Sequence, residues 1–302
     1  MNKTDRLRMS FEFFPPKTSE GILQLKSSVD ALSLFSPHFF SVTFGAGGST
    51  RDGTIETVKM LQQRSSIPLV PHLTCVGFSR ADIIYLLKIY EALGINRLVA
   101  LRGDLPSKNT PEGEVHYAYD LVTLIREETG DYFQIEVAAY PEYHPQAQST
   151  CEDIINLKKK IDAGANAAIT QYFFNSDAYF YFIEECAKQQ IFVPIVPGVM
   201  PIVQFNKLAH FSDLCGAEIP RWLRKRLASF GNDIESLQSF GLDVIYQLCE
   251  KLIEGGAPGL HVYTLNQAEA SLALFKMFYE NRLFHSTNAI FENEQPVLQN
   301  TN

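Results

Sequence analysis

The sequence predicts an α/β fold, a single-domain (β/α)8 TIM barrel, from the number, spacing and composition of its apolar runs. Eight runs rich in β-branched and aromatic residues recur at intervals of roughly 30 residues, with a longer interval before the last. Most of them are apolar without interruption, as parallel strands covered on both faces are. An open doubly wound sheet is the alternative fold. The runs are SFEFFPP at 10–16, HFFSVTFG at 38–45, IPLVPHLTC at 67–75, RLVALRGD at 97–104, QIEVAAYPE at 134–142, AAITQYFF at 167–174, VPIVPGVMP at 193–201 and LHVYTLN at 260–266.

Helical patterns fill the intervals between these runs, and capping residues mark where they begin. Ser79 and Asp82 form a capping-box pattern, an apolar stripe follows, and Gly94 ends the segment. A second segment repeats this pattern from Ser149 with Glu152, and a third runs from residue 233 to about residue 254. The long last interval also predicts an additional helix around residues 220–228. The stripes are Ile83, Leu86, Leu87 and Tyr90 in the first segment and Ile154, Leu157 and Ile161 in the second, which Gly164 ends.

Composition and charge exclude several classes of protein. The chain has 302 residues, 46% of them hydrophobic, and a formal net charge of −8, so no basic surface for nucleic acid is predicted. Its five cysteines are odd in number and include no CxxC pair, which argues against a disulfide framework or a zinc site. The sequence shows neither a secretory signal nor a membrane-spanning run, so we expect a cytoplasmic protein with no membrane partner. The polar segment 284–302 is predicted to be a tail beyond a barrel of residues 1–283.

Glu12 is the first candidate for chemistry, because it interrupts the apolar first run. It lies between Phe11 and Phe13, where a carboxylate loses water, and this loss favours the protonated form. Such a group is suited to general acid catalysis near neutral pH. The alternative is a buried glutamate paired with a cation, which barrel interiors also contain. The local sequence leaves both interpretations open.

Further polar side chains gather at the predicted strand ends, where barrel enzymes place their reacting groups. Arg102 and Asp104 end the fourth run in ALRGDLP, and they predict either an internal ion pair or, as we favour, a ligand contact. His72 and His144 end two other runs and could ligate a metal, but no HxH or HExxH spacing supports this. Gln171 interrupts AITQYFF, and its amide predicts either a contact to the edge of a heterocycle or a satisfied core glutamine.

Two other patterns bear on ligand binding. The segment GAGGST at 45–50 matches neither a GxGxxG nor a Walker pattern, and it predicts a tight turn with close backbone approach to a ligand. Lys158, Lys159 and Lys160 follow the fifth run on a predicted helix. They predict either a solvated helix face or a site for a pyrophosphate near the upper rim of the barrel.

Taken together, these segments resemble the methylenetetrahydrofolate reductase family. They occur in the family's order between about residues 9 and 275, and the family fold is a (β/α)8 barrel that holds FAD. This fold agrees with the independent count of eight strands. The matching segments are SFEFFPPKTSEG, SVTFGAGGSTRD, PHLTC, VALRGDLP, DLVTLI, VAAYPEYHP, NLKKKIDAGA, AITQYFF, PGVMPI and YTLNQAE.

The resemblance implies a two-stage hydride transfer. NADH, or NADPH, reduces FAD and leaves; methylenetetrahydrofolate then accepts the hydride and becomes 5-methyltetrahydrofolate, a methyl source for methionine synthesis. Glu12 matches the family's general acid, which helps to open the five-membered ring of the folate. Asp104 matches a carboxylate that contacts the pterin and adjusts the flavin. Gln171 and Phe211 match residues that contact both substrates in turn.

The resemblance also assigns residues to the binding sites and implies no metal. Lys159 and Lys160 would serve the FAD diphosphate through charge-assisted contacts. The positions for FAD are Thr43, Phe44, Ala46, His72, Arg102, Gly103, Asp104, Tyr117, Ala118, Tyr140, His144, Ala147, Asp153, Asn156, Lys159 and Lys160. The positions for substrate are Asp104, Gln171, Lys207, Phe211, Tyr263 and Gln267.

Two positions depart from the family's pattern. The YTLN motif is commonly followed by Arg, where this chain has Gln267, and a Gln is often found where this chain has Lys207. The loss of one cation and the gain of another would preserve binding of the folate glutamate tail. Eukaryotic members carry a further domain that binds S-adenosylmethionine. The chain lacks one after the barrel, so we expect a bacterial-type, homo-oligomeric enzyme that prefers NADH.

Overall fold

Eight parallel strands close into a barrel in the part of the chain that the computed structural model describes, residues 8–44, 51–103 and 113–281. Each strand pairs with the next along the chain, and β1 pairs with β8 to close the ring. The predicted barrel and all eight predicted strands are therefore confirmed. The strands are β1 (Arg8–Phe13), β2 (Phe39–Val42), β3 (Leu69–Thr74), β4 (Arg97–Leu101), β5 (Gln134–Ala139), β6 (Ala167–Tyr172), β7 (Ile195–Val199) and β8 (Gly259–Tyr263).

Helices surround the strands and follow the predicted pattern. The long interval between β7 and β8 holds three helices, and the predicted additional one is α8. The helices are α1 (Ser19–Ser33), α2 (Arg51–Gln62), α3 (Arg80–Ala92), α4 (Ala118–Thr129), α5 (Thr150–Asp162), α6 (Ser176–Lys188), α7 (Phe205–Cys215), α8 (Arg221–Ser229), α9 (Ile234–Glu254) and α10 (Glu269–Glu280). Within these described ranges, no helix has the length and apolar character that crossing a membrane requires.

Capping interactions start the helices where the sequence predicts. At α3, the Ser79 hydroxyl accepts from the backbone of Asp82, and the Asp82 carboxylate accepts from the backbone of Ser79. At α5, the Ser149 hydroxyl accepts from the Glu152 N–H at 3.2 Å. The Glu152 carboxylate accepts instead from the Gln148 N–H at 2.8 Å, one residue before the cap. Both patterns satisfy N–H groups that a helix start leaves without partners.

An apolar layer inside the barrel supports the functional end of the strands. It consists of Phe39, Val70, Val99 and Ile169, one residue from each of four strands. Side chains two residues apart on a strand share a face, so Ser41, His72, Leu101 and Gln171 lie one layer nearer the C-terminal strand ends. Three of these four side chains are polar, whereas all four in the layer below are apolar, and this change along the barrel axis indicates a site at the C-terminal end.

The described structure ends at residue 281, one residue after α10 ends at Glu280. The predicted boundary at residue 283 and the predicted tail at 284–302 lie outside the described residues and stay predictions.

Candidate active site

Glu12 lies at the centre of the C-terminal end of the barrel, against two histidines. Its Oε2 is 3.4 Å from Nε2 of His72 on β3 and 3.6 Å from Nε2 of His261 on β8. The Glu12 side chain is 19% exposed, whereas those of His72 and His261 are 8% and 1% exposed. The carboxyl group therefore has an open side toward solvent and a buried side formed by two imidazoles.

The contact between His72 and Glu12 is not an ion pair at neutral pH. Burial lowers the pKa of His72 to about 4, Glu12 opposes this shift, and His261 adds to it. His72 is therefore uncharged at pH 7. Among the described residues, the basic groups within ion-pair distance of Glu12 are these two histidines, with no lysine or arginine. The alternative of a glutamate paired with a lysine or arginine thus finds no support in this structure.

The second histidine, His261, is held by a hydrogen bond at Nδ1, the ring nitrogen that does not face Glu12. His261 Nδ1 lies 2.7 Å from the Ser10 hydroxyl, and the two residues are paired in register between β8 and β1. Ser10 and Glu12 are two residues apart on β1, as are His261 and Tyr263 on β8, so each pair shares a strand face. One serine, one glutamate and one histidine are thereby brought together inside the barrel.

Tyr263 and Gln171 border this cluster at the strand ends. The Tyr263 hydroxyl donates to the Thr170 carbonyl at 2.7 Å, and burial raises the pKa of this phenol. Its ring covers Gly198, where an added Cβ would lie 2.6 Å from Tyr263 Cε2. The Gln171 Oε1 accepts from the Tyr172 N–H at 3.0 Å, which leaves the Gln171 amide NH2 group for another partner.

An aromatic and cationic surface lies between the start of α4 and the later turns of α5. Tyr117, half exposed at the start of α4, stacks on Tyr119 with ring centres 5.3 Å apart. Lys159 Nζ is 5.6 Å from the centre of the Tyr119 ring and 3.2 Å from Asn156 Oδ1. Ala118 is the first residue of α4. Four of the predicted FAD positions therefore form one exposed surface.

The loop after β5 joins this surface through His144. The His144 N–H donates to Asp153 on α5 at 2.8 Å, and the His144 carbonyl accepts from the Ala147 N–H at 2.9 Å. The rings of His144 and Tyr140 meet edge to face at 4.7 Å. Burial raises the pKa of Asp153, and the His144 N–H opposes the shift. These contacts bring four further predicted FAD positions together.

Lys160 differs from its neighbours in the lysine run. Its ammonium group donates to the Ala138 carbonyl of β5 at 2.5 Å, and burial lowers its pKa to about 8. Lys158 instead pairs with Asp162 along the same helix. In this structure Lys160 therefore joins α5 to the barrel wall, whereas Lys159 is exposed at the surface.

The ends of β2 and β4 supply the other described positions for FAD. Thr43 and Phe44 are buried, and Thr43 Oγ1 has no hydrogen-bond partner among the described residues. Arg102 Nη2 donates to Gln146 Oε1 at 2.6 Å. Gly103 has a φ of 86°, and an added Cβ would lie 2.9 Å from Thr74 Cβ, so this position requires glycine. Ala46, Asp104 and the whole GAGGST segment lie outside the described residues.

A groove opens past the ends of β1, β7 and β8, at the same end of the barrel as Glu12. Its volume is about 520 Å³, within the range of small-molecule pockets. Lys207 and Phe211 line it from α7, and Gln267 lines it from the loop after β8. Phe211 is 37% exposed, and Phe14 lines the groove next to the first strand. The structure thus brings three predicted substrate positions to one surface.

The comparison with known proteins decides the family. The family model for methylenetetrahydrofolate reductase matches residues 1–278. The chain belongs to this family. Its relatives include 5,10-methylenetetrahydrofolate reductase of Pectobacterium carotovorum subsp. carotovorum, 43% identical over 269 residues, with 89% of each chain covered. The enzyme of the same name from Escherichia coli (strain K12) is 41% identical over 270 residues, which cover 89% of this chain and 90% of the relative.

A solved structure agrees on the fold. An uncharacterized protein from Clostridium thermocellum, described as binding two copies of 5-methyl-5,6,7,8-tetrahydrofolic acid, superimposes with a TM-score of 0.68 at 19% identity. The match covers 92% of this chain and 96% of that chain. At this identity the likeness shows the shared barrel. The family predicted from the ordered motifs is confirmed by the family model and by the curated relatives.

Sequence reasoning missed Ser10 and His261, which complete the cluster around Glu12. The available signal was their spacing, because each lies two residues from another polar residue on a strand whose opposite face is apolar. The metal site considered for the histidines also has no counterpart. In the described ranges, no three His, Cys, Asp or Glu side chains are arranged to hold a metal ion.

Proposed function

We propose that this chain reduces 5,10-methylenetetrahydrofolate to 5-methyltetrahydrofolate with hydride that NADH or NADPH delivers through bound FAD. The observation that carries the proposal is the partly exposed Glu12 carboxyl, backed by two buried imidazoles, with a groove of about 520 Å³ at the same end of the barrel. Membership of the methylenetetrahydrofolate reductase family supports the reaction.

The described residues fit FAD as the cofactor. Tyr117, which is half exposed and stacked on the partly buried Tyr119, suits a flat ring system, and Lys159 beside them suits a phosphate. The Thr43 hydroxyl, which has no hydrogen-bond partner among the described residues, offers a hydrogen bond at a strand end, and Gly103 permits close approach of the backbone. When bound, the flavin supplies the centre that accepts hydride from a nicotinamide and donates it to carbon.

Glu12 would hold the proton that the folate requires. A carboxyl group on the open side of the cluster can donate to a nitrogen of the five-membered ring, and the ring then opens to an iminium ion that accepts hydride. Phe211 would pack on the flat substrate in the groove, and the free amide donors of Gln171 would orient its heterocycle. These groups bind, orient and protonate the substrate.

The decisive experiment follows the two halves of the reaction by flavin absorbance under anaerobic conditions. NADH should bleach the flavin of the purified protein, and methylenetetrahydrofolate should restore its colour and yield 5-methyltetrahydrofolate. A protein that neither carries flavin nor gains it on addition of FAD would show the proposal to be wrong. So would a reduced flavin that methylenetetrahydrofolate leaves bleached.

The variant Glu12→Gln separates the proton donor from the rest of the site. Only the folate half requires an acid, so we expect bleaching by NADH to persist and folate reduction to fall by about 10² to 10⁴. Glu250→Gln, a change at a half-buried carboxyl on α9, serves as the control and should behave as the unmodified protein. Equal damage to both halves in Glu12→Gln would contradict the role of Glu12.

A further inference from the structure

Two buried nitrogen atoms face the same oxygen of Glu12 and have no hydrogen-bond partner in the part of the chain that the structure describes. Nε2 of His72 and Nε2 of His261 are buried, and neither makes a hydrogen bond within the described residues. Both point at Glu12 Oε2, at 3.4 Å and 3.6 Å. A buried polar atom without a partner costs free energy. The arrangement thus favours a contact that tightens when the site is filled, as catalytic hydrogen bonds often do.

The His261 ring has little freedom to leave this position. Its Nδ1 is tied to the Ser10 hydroxyl at 2.7 Å. Its ring centre lies 5.8 Å from that of Phe39 and 5.3 Å from that of Tyr263. Since both nitrogens belong to one rigid ring, an imidazole held at Nδ1 and packed between two aromatic rings has a fixed direction for Nε2. Ser10 therefore aims Nε2 at Glu12.

We propose that His261, held by Ser10, is a positioning residue that orients the Glu12 carboxyl for proton transfer to the folate. The inference rests on the proposed function and adds two residues to it. With Oε2 held on the buried side, Oε1 is the oxygen left for the open side, where the substrate binds. The neutral His72 supports Oε2 from the other flank without supplying a charge.

The role requires the His261 tautomer that carries its proton on Nε2. With the Ser10 hydroxyl donating to Nδ1, Nε2–H donates to Glu12 Oε2, and the acid proton of Glu12 is left on Oε1, on the open side. The other tautomer would draw the acid proton onto Oε2, away from the substrate. A serine hydroxyl can donate to Nδ1, so Ser10 suits the tautomer that proton transfer requires.

Ser10 can be tested against a matched serine on the neighbouring strand. Ser41 lies opposite Glu12 in the register between β1 and β2, is fully buried, and its hydroxyl has no partner in the described structure. Ser10→Ala removes the anchor of His261, Ser10→Thr keeps a hydroxyl, and Ser41→Ala removes an equally buried hydroxyl without an anchor role. Each variant is loaded with FAD, and the rates of the two halves are measured separately.

We expect Ser10→Ala to slow folate reduction roughly tenfold, the effect of losing one orienting hydrogen bond, with flavin reduction by NADH nearly unchanged. Ser10→Thr should recover most of the loss, and Ser41→Ala should match the unmodified protein in both halves. His261→Asn, which can still reach Ser10 but lacks Nε2, should resemble Ser10→Ala.

Three outcomes would overturn the inference: unchanged folate reduction in Ser10→Ala and His261→Asn, equal slowing of both halves, or equal effects of Ser10→Ala and Ser41→Ala. Failure of this inference can be distinguished from failure of the proposed function. If the proposed function were wrong, the unmodified protein itself would fail to pass hydride to methylenetetrahydrofolate. If Ser10→Ala does not fold, His261→Asn and Ser10→Thr still decide the question through their ratios of the two half-reaction rates.

Discussion

Burial determines the charge of His72 and hence the kind of contact that it makes with Glu12. Removing the imidazole from water disfavours its protonated form more than the nearby carboxylate favours it, so its pKa falls from 6.5 to about 4. A charged histidine would form an ion pair with Glu12. The neutral histidine is limited to a hydrogen-bonding contact with that carboxyl group. Burial of His72 thereby determines which kind of contact Glu12 receives.

The depressed pKa of His72 predicts a loss of stability in mild acid. On acidification the unfolded chain binds this proton first, so the stabilising contribution is complete above pH 6.5 and is lost as pH falls toward 4. Between pH 7 and pH 5, the free energy of unfolding should fall by about 2 kcal/mol more in the unmodified protein than in His72→Gln. Urea unfolding at both pH values measures the difference, and equal losses would contradict it.

Lys207 and Gln267 test whether the two departures from the family pattern compensate for each other. Both line the groove, and a cation on either wall can bind the carboxylates of a folate tail. Lys207→Gln should raise the KM for folate by about tenfold, the loss of one charge-assisted hydrogen bond. Adding Gln267→Arg should restore it. Steady-state kinetics at constant NADH measure the change, and an unaltered KM in all variants would show that the compensation is wrong.

At the level of elements, one arginine side chain joins the ends of two helices to the strands that follow them. Arg126 in α4 donates to the carbonyls of Gly130 at 3.0 Å, Phe133 at 2.8 Å and Gly164 at 2.8 Å. It also donates to Asn166 Oδ1 at 2.7 Å, which accepts in turn from the Ile135 N–H. These acceptors lie near the C-terminal ends of α4 and α5, where helix carbonyls lack intrahelical partners.

Replacing this arginine should weaken the attachment of both helices. Arg126→Met keeps an apolar stem but leaves several carbonyls without a donor, and we expect a loss of about 2–4 kcal/mol in the free energy of unfolding. Arg64→Met is the matched control, because Arg64 makes an exposed ion pair with Asp30; its loss should be much smaller. Chemical denaturation of both variants measures the difference, and similar losses would contradict the assignment.

At the level of the whole molecule, Asn266 completes the closure of the barrel. Its side chain accepts from the Phe14 N–H at 2.9 Å and donates to the Phe14 carbonyl at 2.8 Å, which extends the pairing of β1 and β8 beyond the strands. Its own carbonyl accepts from the Ser28 hydroxyl of α1 at 2.9 Å. Asn266 has a φ of 59°, a conformation that asparagine tolerates better than most residues. The first and last strands are thus joined at the mouth of the groove.

Removal of this side chain should destabilise the entire fold. Asn266→Ala loses both contacts to Phe14 and places alanine in a left-handed conformation, so we expect a loss of about 2–4 kcal/mol in the free energy of unfolding. Asn281→Ala, at an exposed asparagine with a negative φ at the end of α10, is the control and should have little effect. Urea denaturation compares the two variants. A loss no greater than that of the control would show that the closure does not depend on Asn266.

The architecture was largely predictable, because the signals that specify it are local. Apolar runs mark strands that are covered on both faces, and caps such as Ser79 and Asp233 mark helix starts from within a few residues. The contact of Lys160 with Ala138 was not predictable in the same way. Whether a lysine on a helix faces solvent or the barrel wall depends on how the helix packs, which a run of three lysines does not reveal.

The sequence by itself determined the positions of the strands, the starts of the principal helices and, through ordered motifs, the family. It also singled out Glu12, because one carboxylate among phenylalanines is visible in a short segment. Only the tertiary structure decided that His72 and His261 meet the same oxygen of Glu12 and that Ser10 anchors one of them. The physical reason is distance along the chain. Residues 12, 72 and 261 become neighbours only when eight strands close into a ring, and no local pattern encodes which of their atoms then meet.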